Sequence, residues 1–307
     1  MISDDTLLEV SLQVDYPNKL CALRDVSFNI HRGEVLGLVG ESGSGKSTIA
    51  LALLNLLKWK HGVATGRILF CGRNILSASE QEMRSIRGRQ VGLVSQSPLA
   101  SLNPALRIGT QLGEAWRAHA KGTRCERNGA VARSLTRVGL PNQEEFQCRY
   151  PSQISVGQAQ RVLIAIAVMH SPPLLIADEP TSALDAVTQV EVLTMLASFN
   201  RDMGTALLYI SHDLQSVASI CHRIAILHEG EIVECGSTES ILKTPRHPYT
   251  QRLLSCAPWL QRLHGQRRPS QLPLPSNASE PNAVLPWGST PVPRAGLKSP
   301  SQPPMRY

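Results

Sequence analysis

No apolar run in this 307-residue chain reaches the ~18 residues of a membrane-spanning helix. The longest, around "IALALLNLLKW" and "VLIAIAVM", stop early and suit buried helices. Any work at a membrane would therefore need partners to hold the chain there. The opening "MISDDTLLEV" is acidic where a secretion signal would be basic. Cysteine pairing is also missing. The seven cysteines, at 21, 71, 125, 148, 221, 235 and 256, are odd in number, scattered, and form no C-x-x-C pair. That pattern argues against a disulfide framework and for reduced, cytosolic thiols. No internal repeat and no long coiled-coil insert is visible. The net charge is +7, from 31 basic and 24 acidic residues, yet the body has little of it. After Gln261, Arg262, Arg267, Arg268, Arg294, Lys298 and Arg306 stand against Glu280 alone, so five of the seven net charges lie in the tail. A near-neutral body lacks the basic stripe of a nucleic-acid binder.

What is present is enough apolar residue, 42%, to fill a sizeable core. "LLEVSLQV" and "LRDVSFNI" read as strands, followed by a turn at Arg32-Gly33-Glu34 and the apolar run "VLGLVG". A helix, "TIALALLNLL", follows directly. Further strands are expected at "GRILFCG", "QVGLVSQ", "LLIADEP", "ALLYISH", "RIAILHEG" and "EIVECG", mostly separated by helical segments. This alternation predicts an α/β fold: a mostly parallel sheet covered on both faces, with antiparallel strands near the start. From about 97 to 170 the pattern is helical alone, as for an inserted subdomain. After the helix "PYTQRLLSCA", residues 258–307 are rich in Pro, Ser, Arg and Gln and are expected to be a disordered tail to the 1–257 domain.

"GESGSGKST" fits G-x-x-x-x-G-K-[ST] between a strand and a helix. Gly40, Glu41, Ser42, Gly43, Ser44 and Gly45 would turn backbone N–H groups toward phosphate oxygens, and the helix start at Lys46, Ser47 and Thr48 adds partial positive charge. Lys46 would reach the β- and γ-phosphates of ATP or GTP, and Ser47 would ligate Mg²⁺. "LLIADEP" is an apolar strand ending in two acids, with Asp178 placed to hold Mg²⁺ and Glu179 to orient or deprotonate the attacking water. Gln96 ends "VGLVSQ" and His212 ends "LLYISH". Gln96 could ligate Mg²⁺ or the water and His212 could donate to the γ-phosphate; a plain surface polar group is the other reading of each. Tyr16 could stack on adenine or be an ordinary surface aromatic.

In order and approximate spacing, the phosphate loop, Gln96, "SVGQAQR", "LLIADEPTSALD" and His212 resemble those of ATP-binding-cassette ATPases, over residues 7 to about 257. "SQSPLASLNP", "IGTQLGEA" and "HPYTQRLLSCAP" narrow the resemblance to ATPase subunits of bacterial importers for oligopeptides, dipeptides and nickel. The resemblance implies a P-loop cassette with a mostly parallel core, an antiparallel β subdomain and an inserted helical subdomain. It further implies a head-to-tail pair of cassettes, each ATP lying between one phosphate loop and the partner's signature, here Ser155, Gly157 and Gln158. Residues 182 to 185 would be the loop crossing that interface. Two membrane permease subunits would dock on the helical insert and Gln96, a solute-binding protein would act indirectly, and the site of work would be the cytoplasmic face of the inner membrane.

Two departures stand out. Val156 replaces the first glycine of the Leu-Ser-Gly-Gly signature. If φ must be positive there, or if the opposite loop packs closely, the strain is on the order of 1–3 kcal/mol. If φ stays negative nothing is lost, and the side chain could also point into the subdomain. A valine carried once rather than twice favours a heterodimer, with the weakened site on the partner's phosphate loop. The tail has no cysteine beyond Cys256 and looks unlike that of these relatives. The leading expectation is an ATP-hydrolysing importer motor, with a non-hydrolysing regulatory subunit and a soluble cassette ATPase as alternatives.

Overall fold

The computed structural model describes residues 5–17 and 19–256. The expected disorder of the tail from residue 258 lies outside these residues.

Two sheets carry the architecture. The first is antiparallel, in the order β2 (Lys19–His31), β1 (Thr6–Tyr16), β4 (Val63–Phe70) and β5 (Arg73–Asn74). The second has the order β10 (Glu231–Ser237), β9 (Arg223–His228), β3 (Val35–Val39), β8 (Ala206–Ser211), β7 (Leu174–Asp178) and β6 (Val91–Val94). All of its neighbours run parallel except the β10–β9 hairpin.

The parallel strands are apolar throughout because both of their faces are covered. In β3, Val35 and Val39 enter one hydrophobic cluster while Leu36 and Leu38 enter another. Strand β7 divides in the same way, with Leu175 and Ala177 on one side and Leu174 and Ile176 on the other. The second cluster is filled by the antiparallel sheet and by α1 (Lys46–Leu53). Five helices are inserted after β6, α3 (Pro98–Ser101), α4 (Ile108–Arg117), α5 (Arg124–Arg137), α6 (Glu144–Gln147) and α7 (Val156–Ala167), and the first cluster takes in residues of the last four. Before β6 comes α2 (Glu80–Ile86), opened by a Ser79–Glu82 capping box. The remaining helices are α8 (Ala186–Met203), α9 (Leu214–Ile220), α10 (Thr238–Lys243) and α11 (Pro248–Ser255).

Helix α1 is shorter than its apolar run suggests. Asn55 takes φ 52° and ends it, and Leu57–Lys60 turns as a 3-10 helix instead. The Asn55 amide faces the carbonyls of Ile75, Leu76 and Ala78, a local bonding alternative that a hydrophobic pattern does not reveal.

Strand order fixes where chemistry can occur. Strand β3 lies between β8 and β9, and β7 between β6 and β8, so the loops leaving their C-terminal ends crowd one edge.

Candidate active site

The loop after β3 is shaped by close approach. Gly40 is buried, and a Cβ there would stand 2.2 Å from the Leu227 carbonyl oxygen. Gly45 starts α1 at φ 112°, with a Cβ position 2.5 Å from Leu23 Cδ2. No side chain caps this helix. Its N-terminus therefore keeps its donors and its partial positive charge for an anion. Glu41, Ser42, Gly43 and Ser47 are exposed, and Thr48 is half-buried. Ser44 is buried, with its hydroxyl lacking a hydrogen-bond partner.

Lys46 is buried and its ammonium donates to the carbonyls of Gly40 and Glu41, at 2.8 Å each. Burial lowers its pKa, while Glu179, Asp178 and Glu41 pull it back up. Asp178, at the end of β7, shows the opposite balance. Burial raises its carboxyl, and the Ser47 hydroxyl beside it and the Lys46 charge oppose the rise. Its Oδ1 is buried without a hydrogen-bond partner. An unpartnered carboxylate oxygen next to a serine hydroxyl suits a hard cation such as Mg²⁺. Among the described residues no group of three or more His, Cys, Asp or Glu could hold a metal.

Glu179 is the most constrained residue here. It adopts φ 49°, in the left-handed region, and its backbone N–H donates to the Ile210 carbonyl at 2.9 Å. Such a conformation costs on the order of 1–3 kcal/mol and persists where its surroundings impose it. Its carboxylate meets Gln96 Nε2 at 2.8 Å through Oε2 and His212 Nδ1 at 3.1 Å through Oε1. Gln96 and His212 are exposed, whereas the Glu179 side chain is largely covered. Gln96 and His212, each with a surface reading open to it, thus converge on one acid.

Beneath this edge, buried Tyr209 lies between the hydroxyls of Thr181 and Ser216 at 3.4 and 3.1 Å. Asp185 caps α8, and Asp213 caps α9 while accepting from Gln189 of α8 at 3.1 Å. Sequence reasoning passed over this support because Ser216 and Gln189 carry no motif signal and Thr181, though within "LLIADEPTSALD", was given no role.

The signature residues stand apart. Ser155 caps α7 and accepts from the Gln158 backbone at 3.2 Å, and Gln158 Oε1 accepts from the Ser155 N–H at 3.1 Å. Gly157 lies against α8, where a Cβ would come within 2.8 Å of Thr188 Cγ2. Among the described residues no hydrogen bond links these three to Lys46, Asp178 or Glu179. Val156 is the first residue of α7, with no positive φ and a side chain 37% exposed. The backbone-strain reading of Val156 is therefore excluded. Tyr16 ends β1 half-buried, its ring against Gly62, where a Cβ would stand 2.7 Å from Cε1.

Residues 23–182 match the ABC transporter family, and residues 233–282 match the oligopeptide/dipeptide transporter C-terminal region. The second match passes residue 257, so part of the tail follows the family pattern despite lacking cysteine. The chain is 40% identical over 263 residues to the glutathione import ATP-binding protein GsiA of Escherichia coli O1:K1, covering 84% of this chain and 42% of the relative. It is 41% identical over 266 residues to the protein of that name from Salmonella choleraesuis, covering 85% and 42%. The chain thus spans about two-fifths of the length of these curated relatives. The solved structure of cbiO1 from Clostridium perfringens, part of the ABC transporter complex cbiONQ, aligns with TM-score 0.69 and 26% identity, over 85% of this chain and all of that one. A dimeric post-hydrolysis cassette, MJ0796 bound to ADP and Pi, aligns with TM-score 0.66 and 26% identity, over 75% and 98%. On the match of residues 23–182 and the 40% identity to these relatives, the chain belongs to the ABC transporter family, in the group carrying the oligopeptide/dipeptide C-terminal region.

Proposed function

We propose that this chain is the ATP-hydrolysing motor subunit of a bacterial importer for peptides or similar small solutes. The observation that carries the reading is Glu179, held by Gln96 on one side and His212 on the other, beside Asp178 and Lys46. A carboxylate fixed on both oxygens is suited to orient a water and accept its proton. His212 is placed to donate toward a γ-phosphate, and the Nζ of Lys46 to leave its two carbonyls for phosphate oxygens. Ser47, Asp178 and Gln96 are the residues that would hold Mg²⁺, which when bound would neutralise charge developing on the phosphates. Tyr16, at the tip of the first hairpin, is assigned to the adenine.

Ser155, Gly157, Gln158 and the start of α7 complete a site on a second cassette rather than their own. Val156 on α7 and Val187 and Val190 on the first turns of α8 are exposed, at 37%, 70% and 62%. The contact of Gly157 with Thr188 brings these two helix starts together. An apolar face of this kind suits burial against a second cassette, and a heterodimer is favoured because it carries Val156 once rather than twice. The partners are then another ATPase subunit and two transmembrane permeases at the cytoplasmic face of the inner membrane, with an extracytoplasmic solute-binding protein acting through them. Among the described residues no helix is long and apolar enough to cross a membrane, consistent with attachment through the permeases. No nucleic-acid partner is invoked. Glutathione, named for the relatives, is the first solute to try.

The test is ATP turnover and labelled-glutathione uptake by the full chain assembled with its ATPase partner and permeases. Uptake abolished by Glu179→Gln supports a motor, whereas turnover unchanged by that substitution sinks the assignment of Glu179.

A further inference from the structure

Tyr209 is buried in β8, where it pairs with Ala177 of β7. A phenol in such a place needs partners for its oxygen, and this one has three. The Tyr209 hydroxyl donates to Ser216 Oγ at 3.1 Å, lies 3.4 Å from Thr181 Oγ1, and has the Ser211 hydroxyl beside it. Thr181, Ser211 and Ser216 are themselves buried, none more than 6% exposed. Ser216 gives its own proton to the Asp213 carbonyl at 2.8 Å, so toward Tyr209 it can only accept. The single phenolic proton is thereby committed, and Thr181 is left to donate to Tyr209. Burial raises the Tyr209 pKa, with the three hydroxyls opposing the rise and Cys221 adding to it, so that proton is present at neutral pH.

These partners belong to two different loops. Thr181 lies two residues after Glu179, whose left-handed backbone, φ 49°, has to be imposed by its surroundings. On one side the Ile210 carbonyl accepts the Glu179 N–H at 2.9 Å. On the other, Thr181 is the anchor, since Ser182 and Ala183 beyond it are exposed. His212 is bracketed in the same way. Ser211 before it accepts from the Asp213 N–H at 3.0 Å, and Ser216 after it holds the Asp213 carbonyl. One hydroxyl thus joins the loop that carries Glu179 to the loop that carries His212, and the two side chains meet at 3.1 Å. We infer that Tyr209 is a positioning residue for ATP hydrolysis: by holding Thr181 on one loop and Ser211 and Ser216 on the His212 side, its hydroxyl sets the separation at which Glu179 and His212 work. This rests on the assignment of Glu179 as the group that accepts the water's proton.

Tyr209→Phe keeps the ring and removes only the hydroxyl. Phosphate release by the full chain, assembled with its ATPase partner and permeases, would be measured against ATP concentration, together with displacement of trinitrophenyl-ATP by ATP. A misplacement of about 1 Å at a reacting group can cost about a hundredfold in rate, and part of such a shift should lower kcat roughly three- to thirtyfold. KM and ATP affinity should stay within about twofold, since Lys46 and the phosphate loop are untouched. In a Glu179→Gln background the same substitution should change the remaining turnover by less than about twofold, because a residue that acts through Glu179 has nothing left to position. Packing alone would lower the melting temperature without this selective loss. An unchanged kcat well below the melting temperature would overturn the inference, and so would a loss that persists in full in the Glu179→Gln background. Thr181→Val, which removes one donor and keeps the phenol, should also lower kcat; if Tyr209→Phe does not fold, an unaltered kcat in Thr181→Val overturns the inference by itself. Unchanged turnover in Glu179→Gln alone would remove the assignment of Glu179 and this inference with it.

Discussion

Gln96 and Glu179 are 83 residues apart in the chain, yet the Gln96 amide donates to the Glu179 carboxylate at 2.8 Å. His212 closes on the other carboxylate oxygen at 3.1 Å. Glu179→Gln should reduce phosphate release by about 10²- to 10⁴-fold, the range for loss of a general base. ATP binding, followed by displacement of a fluorescent analogue, should survive, because Lys46 and the loop backbone are untouched.

Lys46→Ala should do the reverse. Removing a charge-assisted contact to phosphate costs about 1.5–3 kcal/mol, so ATP affinity should fall roughly ten- to a hundredfold. Calorimetric titration reads this directly. An unaltered affinity would mean that the ammonium stays on the Gly40 and Glu41 carbonyls when nucleotide is bound.

How much of this was readable beforehand differs by element. Strands β3, β7 and β8 were legible because burial on both faces demands continuous apolar runs. Gln96, Glu179 and His212 were each legible as polar residues following an apolar strand. Their meeting was not, since it depends on β7 lying between β6 and β8, a matter of strand order. Val156 was left open although Ser155 and Gln158 already formed an S-x-x-Q capping pattern around it. That box sets a helical backbone there. The overlong α1 reflects Asn55, whose amide finds carbonyls more than twenty residues away in the chain.

Val156→Gly follows from this. Glycine at an ordinary helical position costs about 0.5–1 kcal/mol, so the melting temperature should drop slightly. ATP turnover at this chain's own site should change less than about twofold, because the substitution relieves no strain within it. A marked rise in turnover, with the partner ATPase and permeases assembled, would locate the valine's effect at the contact with the partner.

Gly157→Ala should be far less tolerated. The added methyl would stand 2.8 Å from Thr188 Cγ2, and overpacking of this kind costs roughly 1–3 kcal/mol. Thermal unfolding of Gly157→Ala against the double variant Gly157→Ala, Thr188→Ser should show partial recovery, since serine lacks the offending methyl.

His119 and His170 pack edge to face with centroids 5.3 Å apart, His119 also facing Gly88. Burial lowers the His119 pKa from about 6.5, and His170 and Arg89 add to this against a hydrogen bond with Arg87 backbone. The unfolded chain then takes the proton first as pH falls. Stability from His119 is full above about pH 6.5 and declines below it. His119→Gln should flatten melting temperature against pH between 6.5 and 5, a change visible by scanning fluorimetry.

The contact between Gly157 and Thr188 also has a mechanical side. Gly157 is the second residue of its helix and Thr188 the third of its own, and each helix start follows a stretch assigned to the surface between cassettes. Close-packed interiors are hard to compress, so a push at the start of α8 meets α7 at once with no side chain between to absorb it. On the proposed pairing of cassettes, the stretch before α7 and the loop before α8 would be geared together, with about one methyl's width between the surface that serves one nucleotide site and the surface that serves the other.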